Sequence, residues 1–226
     1  MNESKPAKPT IPVGKLERWQ RVADLIAGLI EVPAGLIMRV DPPEIEVFVS
    51  SATPGNPYEA GERARLNTGL YCETVMVNRK PLVVPDALKD PEWKDNPDIE
   101  LGMVSYLGFP LLWPDGVVFG TVCVLDSKAN AYSGRHQTLL QEIAGLIEAD
   151  LQDLMQRYQL EKALTEVRTL RGLLPICMYC KKIRDDKNFW EQVDVYVEKH
   201  SEARFSHGLC PDCLRKHHPD VADQVP

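Results

Sequence analysis

Two Cys-x-x-Cys pairs, Cys177-Met178-Tyr179-Cys180 and Cys210-Pro211-Asp212-Cys213, stand 29 residues apart near the C-terminal end of this 226-residue chain. The spacing within a pair lets both sulfurs face one ion while a short loop folds its amides back toward the thiolates, and two such knuckles complete a tetrahedral S4 site, the geometry of structural zinc. A module of about fifty residues has too little core to stand on burial alone, and bound metal supplies the missing staple. The spacing therefore predicts a zinc-knuckle-type module over residues 175–218, with Cys177, Cys180, Cys210 and Cys213 as ligands and Zn2+ as a structural cofactor. Three alternatives stay open: a single iron on the same sulfurs, a metal-free pair of redox dithiols, and a Cys3His set using His207 or His217. Lys181 and Leu214, not histidines, follow the pairs, which disfavours c-type haem attachment. Lys181, Lys182 and Arg184 offset the charge of a tetrathiolate site and make the thiols easier to ionise. Asn188, with Glu191 three residues on, predicts a capping box opening a short helix whose face carries Phe189, Val193, Tyr196, Val197 and His200.

The remaining cysteines, Cys72 and Cys123, stand alone, so the chain divides into two modules. With 26 Lys+Arg against 33 Asp+Glu the formal net charge is −7, which argues against non-specific nucleic-acid or anionic-membrane binding. From Arg171 onward nine Lys/Arg face nine Asp/Glu, so the tail has no basic surplus either. No apolar run approaches the ~20 residues of a membrane helix. The start of the chain, with Glu3, Lys5, Pro6, Lys8 and Pro9, lacks the apolar core of a secretory signal. A cytoplasmic protein is the expectation, and there cysteines report metal or redox chemistry before structural disulfides.

Residues 1–15 read as a flexible lead and 219–226 as a flexible tail. Leu16, Trp19, Val22, Ala23, Ile26, Leu29 and Ile30 recur at three- and four-residue spacing, an amphipathic helix. Pro33 and Gly35 end it, and β-branched runs at 36–40 and 45–50 around Asp41-Pro42-Pro43 give a strand–turn–strand unit. Residues 53–70 read as a loop leading into a short helix, 72–78 as helical, and 82–84 as a short strand. Residues 87–102 read as a long loop with a helical turn or two. Apolar runs at 104–113 and 117–125 flank Pro114-Asp115-Gly116, a strong hairpin signal. After Ser133 a helix runs to about Leu174. Leu140, Ala144, Ile147, Leu151, Leu154 and Tyr158 form a coiled-coil-like seam; it breaks at Glu161 and Thr165, and a second begins at Leu160, Ala163, Val167, Leu170 and Leu174. The break marks a bend, a stutter, or a change of partner. The plainest version packs the first half on the domain and the second half elsewhere.

Several separated blocks bring this reading to a known family. Gly69-Leu70-Tyr71-Cys72-Glu73-Thr74-Val75, Pro81-Leu82-Val83-Val84-Pro85-Asp86-Ala87 and Ser105-Tyr106-Leu107-Gly108-Phe109-Pro110-Leu111 occur in order. They are followed by Pro114-Asp115-Gly116 and Phe119-Gly120-Thr121-Val122-Cys123-Val124-Leu125-Asp126. Together they resemble a GAF domain over about residues 16–155. The order of elements predicts an α+β fold, an antiparallel sheet flanked by helices; the resemblance makes residues 16–136 a sensor domain, and the seams predict a signalling and dimerisation helix at 137–174. The resemblance also implies a small-molecule ligand, of a kind that does not transfer with the fold, held between the sheet and loops 53–70 and 86–104. Cys72, Asp86, Trp93 and Tyr106 are the residues to watch there. Each has a plainer role open to it: Asp86 a loop cap, Trp93 a lid on the core, Tyr106 a satisfied strand hydroxyl, Cys72 packing. Bilin-binding members attach their pigment to a cysteine, and free methionine sulfoxide reductases are enzymatic members. Reductase chemistry needs an activated thiolate and a resolving thiol, and only Cys72 and Cys123 are on offer, so a non-enzyme is expected.

The tail in turn resembles a segment that follows sensory or receiver domains in bacterial signalling proteins. The resemblance lies in Leu174-Pro175-Ile176-Cys177, Cys180-Lys181-Lys182-Ile183-Arg184-Asp185-Asp186, Trp190, Tyr196, His200-Ser201, Phe205-Ser206-His207-Gly208, Cys210-Pro211 and Cys213. It implies context rather than chemistry. The reading that joins both resemblances is a bacterial signal-transduction sensor, homodimeric through the long helix, passing its state to a signalling protein partner. The alternative is a thiol or metal redox sensor with the four cysteines as input.

Overall fold

In a computed structural model of the chain, residues 8–171, 174–185, 188–201, 203–206 and 208–222 are described. His207, one of the alternative ligands, and Asp186 lie outside them, as do residues 1–7 and 223–226. The chain divides at 162/163 into two units.

The first unit is built on a six-stranded antiparallel sheet in the order β3-β2-β1-β6-β5-β4. Its strands are β1 (Ala34–Asp41), β2 (Glu44–Ser50), β3 (Arg63–Arg65), β4 (Leu82–Val84), β5 (Ser105–Leu112) and β6 (Val118–Asp126). Helix α1 (Val13–Ile30) precedes the sheet and α2 (Tyr71–Asn78) crosses between β3 and β4. The long helix α3 (Gly134–Arg171) follows β6. Three-residue 3-10 turns occupy 87–89 and 97–99 in the long loop before β5. The 53–70 segment differs from expectation. It holds no helix and instead adds β3 at the sheet edge. All three β3 residues are exposed, so no apolar alternation announced the strand.

Period-two alternation gives the sheet two apolar faces. On one, Trp19, Ala23, Ile26 and Ile30 of α1 and Leu140, Ile147, Leu151 and Leu154 of α3 pack on Ile37, Leu107, Phe109, Val122 and Val124. On the other, Tyr71, Cys72, Val75 and Met76 of α2 pack on Leu36, Met38, Tyr106, Cys123 and Leu125. The first half of the α3 seam is therefore consumed inside its own domain rather than by a second helix. Leu160, one step past the phase break, is 62% exposed and Leu164 is 50% exposed. The side chains of Val167 and Leu170 lie outside the described set.

One buried carboxylate pins α1 to α3. Asp150 accepts hydrogen bonds from Trp19 Nε1 at 2.9 Å, Lys15 Nζ at 2.7 Å and Arg18 at 3.0 Å. Asp150→Ala would strand a buried indole N–H and uncouple two cations, and an unsatisfied buried donor alone costs about 1–3 kcal/mol. The variant is expected to lose about 2–3 kcal/mol in urea unfolding, whereas Asp153→Ala, on the exposed side of the same cluster, stays within about 0.5 kcal/mol.

The second unit carries the four-cysteine tail. A β7–β8 hairpin (Ile183–Arg184 with Trp190–Glu191) precedes α4 (Val193–His200), and α5 (Pro211–His217) and α6 (Pro219–Ala222) follow. The expected capping box does not form. Asn188 has φ 66°, a left-handed conformation suited to the hairpin turn, and Glu191 belongs to β8, so α4 begins five residues later than Asn188 at Val193. Phe189 consequently lies off the helix and is exposed, while Tyr196 stacks on His200 with ring centroids 4.0 Å apart.

Candidate functional site

The face of the sheet beneath α2 holds a group of buried polar atoms. Its entrance is fixed by Glu73, whose carboxylate accepts the backbone N–H groups of Asn67, Thr68 and Leu70 at 2.8, 3.1 and 3.3 Å and so folds the incoming loop onto the first turn of α2. Tyr71 and Cys72 then point into the interior. The two ligand loops anticipated from the sequence are tied to each other at two points. Tyr58 donates to Asp98 at 2.7 Å, and Asn96 Nδ2 donates to the Gly69 carbonyl at 2.7 Å. Burial holds the Asp98 carboxyl above the usual carboxylate range, and burial beside Asp98 pushes the Tyr58 phenol far up.

Three aromatic rings fill the space under these loops. Tyr71 stacks on Tyr106 at 4.9 Å between centroids and leans on Trp93 at 5.2 Å. All three are buried. The Tyr71 hydroxyl, on a residue with no exposed surface, has no hydrogen-bond partner among the described residues. Such a group costs about 1–3 kcal/mol unless something satisfies it. Trp93 and Tyr106 are thus brought together, with Tyr71 between them. Asp86 is not part of the group. It caps the 87–89 turn through Leu88 N at 3.2 Å and pairs with Lys89 at 2.7 Å, the contact that holds its carboxyl below the ordinary range.

Tyr106 reaches further than its strand position suggests, because Gly108 lets it lie along the sheet. A Cβ on Gly108 would sit 2.0 Å from the Tyr106 hydroxyl. That hydroxyl lies 3.4 Å from Cys72 Sγ, and Thr121 Oγ1 donates to the same sulfur at 3.3 Å. Cys123 lies in the same buried cluster as Cys72. The neighbouring Cys123 first, then the Thr121 and Tyr106 hydroxyls, draw the Cys72 thiol below its ordinary value despite burial, while the Cys123 thiol is pushed well up. Tyr58, Asp98, Tyr71 and Thr121 were not foreseen as site residues. They stand far apart in sequence in no recognisable spacing, and only the sheet brings them together.

In the second unit each cysteine pair is folded as a knuckle. The Cys177 turn closes through Lys181 N–H to the Cys177 carbonyl at 3.0 Å and Cys177 N–H to the Lys182 carbonyl at 2.8 Å, and the Cys213 amide points at Cys210 Sγ, 3.5 Å away. The neighbouring amides of Cys180 and Tyr179 lower the Cys177 thiol and that of Cys213 the Cys210 thiol, whereas the bond to Cys210 raises Cys213. Two cysteines held in such a turn would suit one side of a thiolate-bound metal. The two pairs are not joined: among the described residues no three His, Cys, Asp or Glu side chains gather at one point.

A family model described as the GAF domain matches residues 16–151, more than half of the chain. Among curated proteins, the diguanylate cyclase DgcP of Escherichia coli (strain K12) is 36% identical over 63 residues, 28% of this chain and 18% of that protein. The chain thus spans under a fifth of that relative's length. Among solved structures, the blue-light absorbing form of the Thermosynechococcus elongatus PixJ GAF domain has a TM-score of 0.56 at 15% identity, covering 70% of this chain and 98% of that one. A phycocyanobilin-bound GAF domain from a cyanobacterial phytochrome has a TM-score of 0.53 at 12% identity, with 63% and 86% covered. The free methionine-R-sulfoxide reductase from Neisseria meningitidis in complex with its substrate has a TM-score of 0.52 at 16% identity, with 63% and 80% covered. At these identities the likeness is one of fold. No helix among the described residues is long and apolar enough to cross a membrane.

Proposed function

Because this chain belongs to the GAF domain family, we propose that it is a signal-transduction sensor that binds a small molecule under loops 53–70 and 86–104. The observation that carries this reading is the buried hydroxyl of Tyr71, without a partner among the described residues, on a ring packed between Trp93 and Tyr106 near two loops tied through Tyr58–Asp98 and Asn96–Gly69. A ligand with one hydrogen-bonding group satisfies that hydroxyl, and the aromatic rings move aside to stack on it. Cys72 forms the floor and Asp86 sits on the loop at the rim. Loop displacement shifts α2 against the sheet, and the sheet carries the shift to α3. The half of α3 beyond the domain, where Leu160 is exposed, pairs with a second copy and repositions the tail against a signalling partner. In the tail, Cys177, Cys180, Cys210 and Cys213 hold a zinc ion whose role is to fix the fold. The chain is read as a non-enzyme, and its sulfoxide-reductase neighbour adds fold likeness only.

The test is equilibrium dialysis of the full chain against a defined mixture of cyclic nucleotides, free amino acids and their sulfoxides, and linear tetrapyrroles, read by mass spectrometry. One compound should be retained at one per chain. Tyr71→Phe should weaken it by about tenfold, the worth of one hydrogen bond, and Trp93→Ala should abolish retention. Retention of nothing, or retention indifferent to both substitutions, rejects the pocket.

A second reading makes the tail the input. Its motivation is that Cys177 and Cys210 are accessible and their thiols are lowered by amide hydrogen bonds, the condition for reversible oxidation. Easy metal loss with disulfide formation inside each pair would favour it over the first.

A further inference from the structure

The loops beside the aromatic cluster bring one carboxylate to its margin. The turn at 97–99 follows directly on Trp93: Asn96 N–H donates to the Trp93 carbonyl at 3.0 Å, and Asp98 N–H donates to Asn96 Oδ1 at 2.9 Å. The Asp98 carbonyl in turn accepts from Met103 N–H at 3.0 Å. Trp93 and Met103 belong to the buried cluster that holds Tyr71 and Tyr106, and Tyr58 and Ile99 pack against it. The Tyr58 hydroxyl donates to the Asp98 side chain at 2.7 Å. Four aromatic side chains and one carboxylate are thus gathered from β5, α2 and two loops.

Asp98 differs from other interior carboxylates of this unit. Asp150 holds Lys15 and Arg18, Glu46 holds Arg39, and Asp126 accepts from Asn130 Nδ2 and Lys128 N–H. The Asp98 side chain takes a single neutral donor, the Tyr58 hydroxyl, and no cation among the described residues. Burial lifts its carboxyl above the ordinary range, and the Tyr58 bond does not bring it back. In the same cluster the Tyr71 hydroxyl is buried without a partner among the described residues. A carboxylate lacking a positive charge, a hydroxyl lacking a partner and several ring faces are together the groups that recognise an ammonium ion. No lysine, arginine or histidine hydrogen-bonds the Tyr58, Tyr71, Asp98 or Tyr106 side chains among the described residues. A phosphate or carboxylate on a ligand would therefore meet like charge there and no partner of its own.

We propose that the compound bound at this site is a small protonated amine, its ammonium group set against Asp98 and the Tyr71 hydroxyl and its body among Trp93, Tyr71 and Tyr106. This ligand class rests on reading the cluster as the pocket proposed above. One ammonium N–H donates to the Asp98 carboxylate, which supplies the opposite charge that the protein itself does not place there, and a second donates to the Tyr71 oxygen. The negative faces of the rings attract the same charge. Tyr58, packed on the cluster by its ring and bonded to Asp98 by its hydroxyl, orients the carboxylate. A neutral analogue of the same shape keeps the ring contacts and loses the ion pair, and an anionic one is repelled by Asp98.

The experiment titrates the full chain with phenethylamine, phenethyl alcohol and hydrocinnamate, and with isopentylamine, isopentanol and isocaproate, reading binding by saturation-transfer NMR. In each series the amine should bind at least about tenfold more tightly than the alcohol, and the carboxylate should show no saturation. Asp98→Asn keeps an acceptor for Tyr58 and removes the charge. It should weaken the amine about ten- to a hundredfold and leave the alcohol unchanged. Asp95→Asn, exposed on the same loop, should leave the amine unchanged. The proposal is overturned if the alcohol or the carboxylate binds as tightly as the amine, or if Asp98→Asn leaves the amine titration where it was. Should the dialysis described above retain a compound without a cationic amine, lost in Trp93→Ala and indifferent to Asp98→Asn, the pocket stands and the amine assignment falls. Should no compound of any charge bind, both fall. The wild-type charge series decides even if Asp98→Asn fails to fold.

Discussion

Replacing Gly120 with alanine is expected to destabilise the GAF unit by more than about 4 kcal/mol, beyond the range of ordinary single substitutions. Gly120 lies in β6 opposite Arg39 of β1 and Leu111 of β5. A Cβ there would sit 1.8 Å from the Met38 carbonyl oxygen and 2.6 Å from its carbon. Both obstacles are backbone, so no rotamer change relieves them; β1 and β6 must separate at the centre of the sheet. Gly145 provides the opposite case in the same protein. It is exposed on α3 with nothing within 4 Å of an added Cβ, so Gly145→Ala should stabilise by about 0.5–1 kcal/mol through helix propensity alone. Urea unfolding followed by tryptophan fluorescence checks both. A Gly120→Ala cost under about 1 kcal/mol would mean that the β1–β6 approach described above is wrong.

The second large effect is expected in the tail. Elemental analysis should find about one zinc per chain, with four thiols silent to Ellman's reagent until a strong chelator is added. Structural zinc contributes apparent binding free energies of about 10–16 kcal/mol in small domains, so its removal should unfold residues 175–218 outright. Cys177→Ser should lower metal affinity at least a hundredfold. Protons compete with the metal for thiolates, so retention falls as pH is lowered and is firmest at neutral pH and above. The GAF unit, stabilised by its own two apolar clusters, should keep its urea midpoint throughout. Metal-free protein with an ordered tail would exclude the zinc reading. Disulfides within each pair in place of metal would transfer the tail to the redox reading.

The parts of the fold legible in the sequence were those where periodicity and turn chemistry act locally. The hairpin about Pro114-Asp115-Gly116 appears as β5 and β6, with Gly116 at φ 77°, and the spacing of Trp19, Ala23, Ile26 and Ile30 appears as the buried stripe of α1. Where local signals competed, the reading failed: Asn188 could cap a helix or enter a left-handed turn, and pairing with β7 chose the turn. The seam on α3 was visible, but heptad spacing cannot distinguish a partner helix from a sheet of the same chain. The candidate site was legible only in part. Cys72 and Tyr106 lie in marked blocks and Trp93 in a loop that the family places over the pocket, whereas Tyr58 and Asp98 are 40 residues apart and meet through loops with no period. Thr121 was hidden within an apolar strand where its hydroxyl seemed incidental.

The residues of strand β6 alternate between the two clusters. Thr121, Cys123 and Leu125 face the aromatic chamber or its floor, and Val122 and Val124 face α1 and α3. The chamber and the long helix are thus separated by the thickness of one pleated ribbon, with adjacent residues of a single peptide segment serving as its two walls. A tilt of that ribbon by a few degrees moves both walls at once and in opposite senses, like a rocker on a fulcrum. Close packing on each side leaves little slack to absorb such a tilt. A signal passed across this domain would therefore need no relay of side chains, since one ribbon forms both walls.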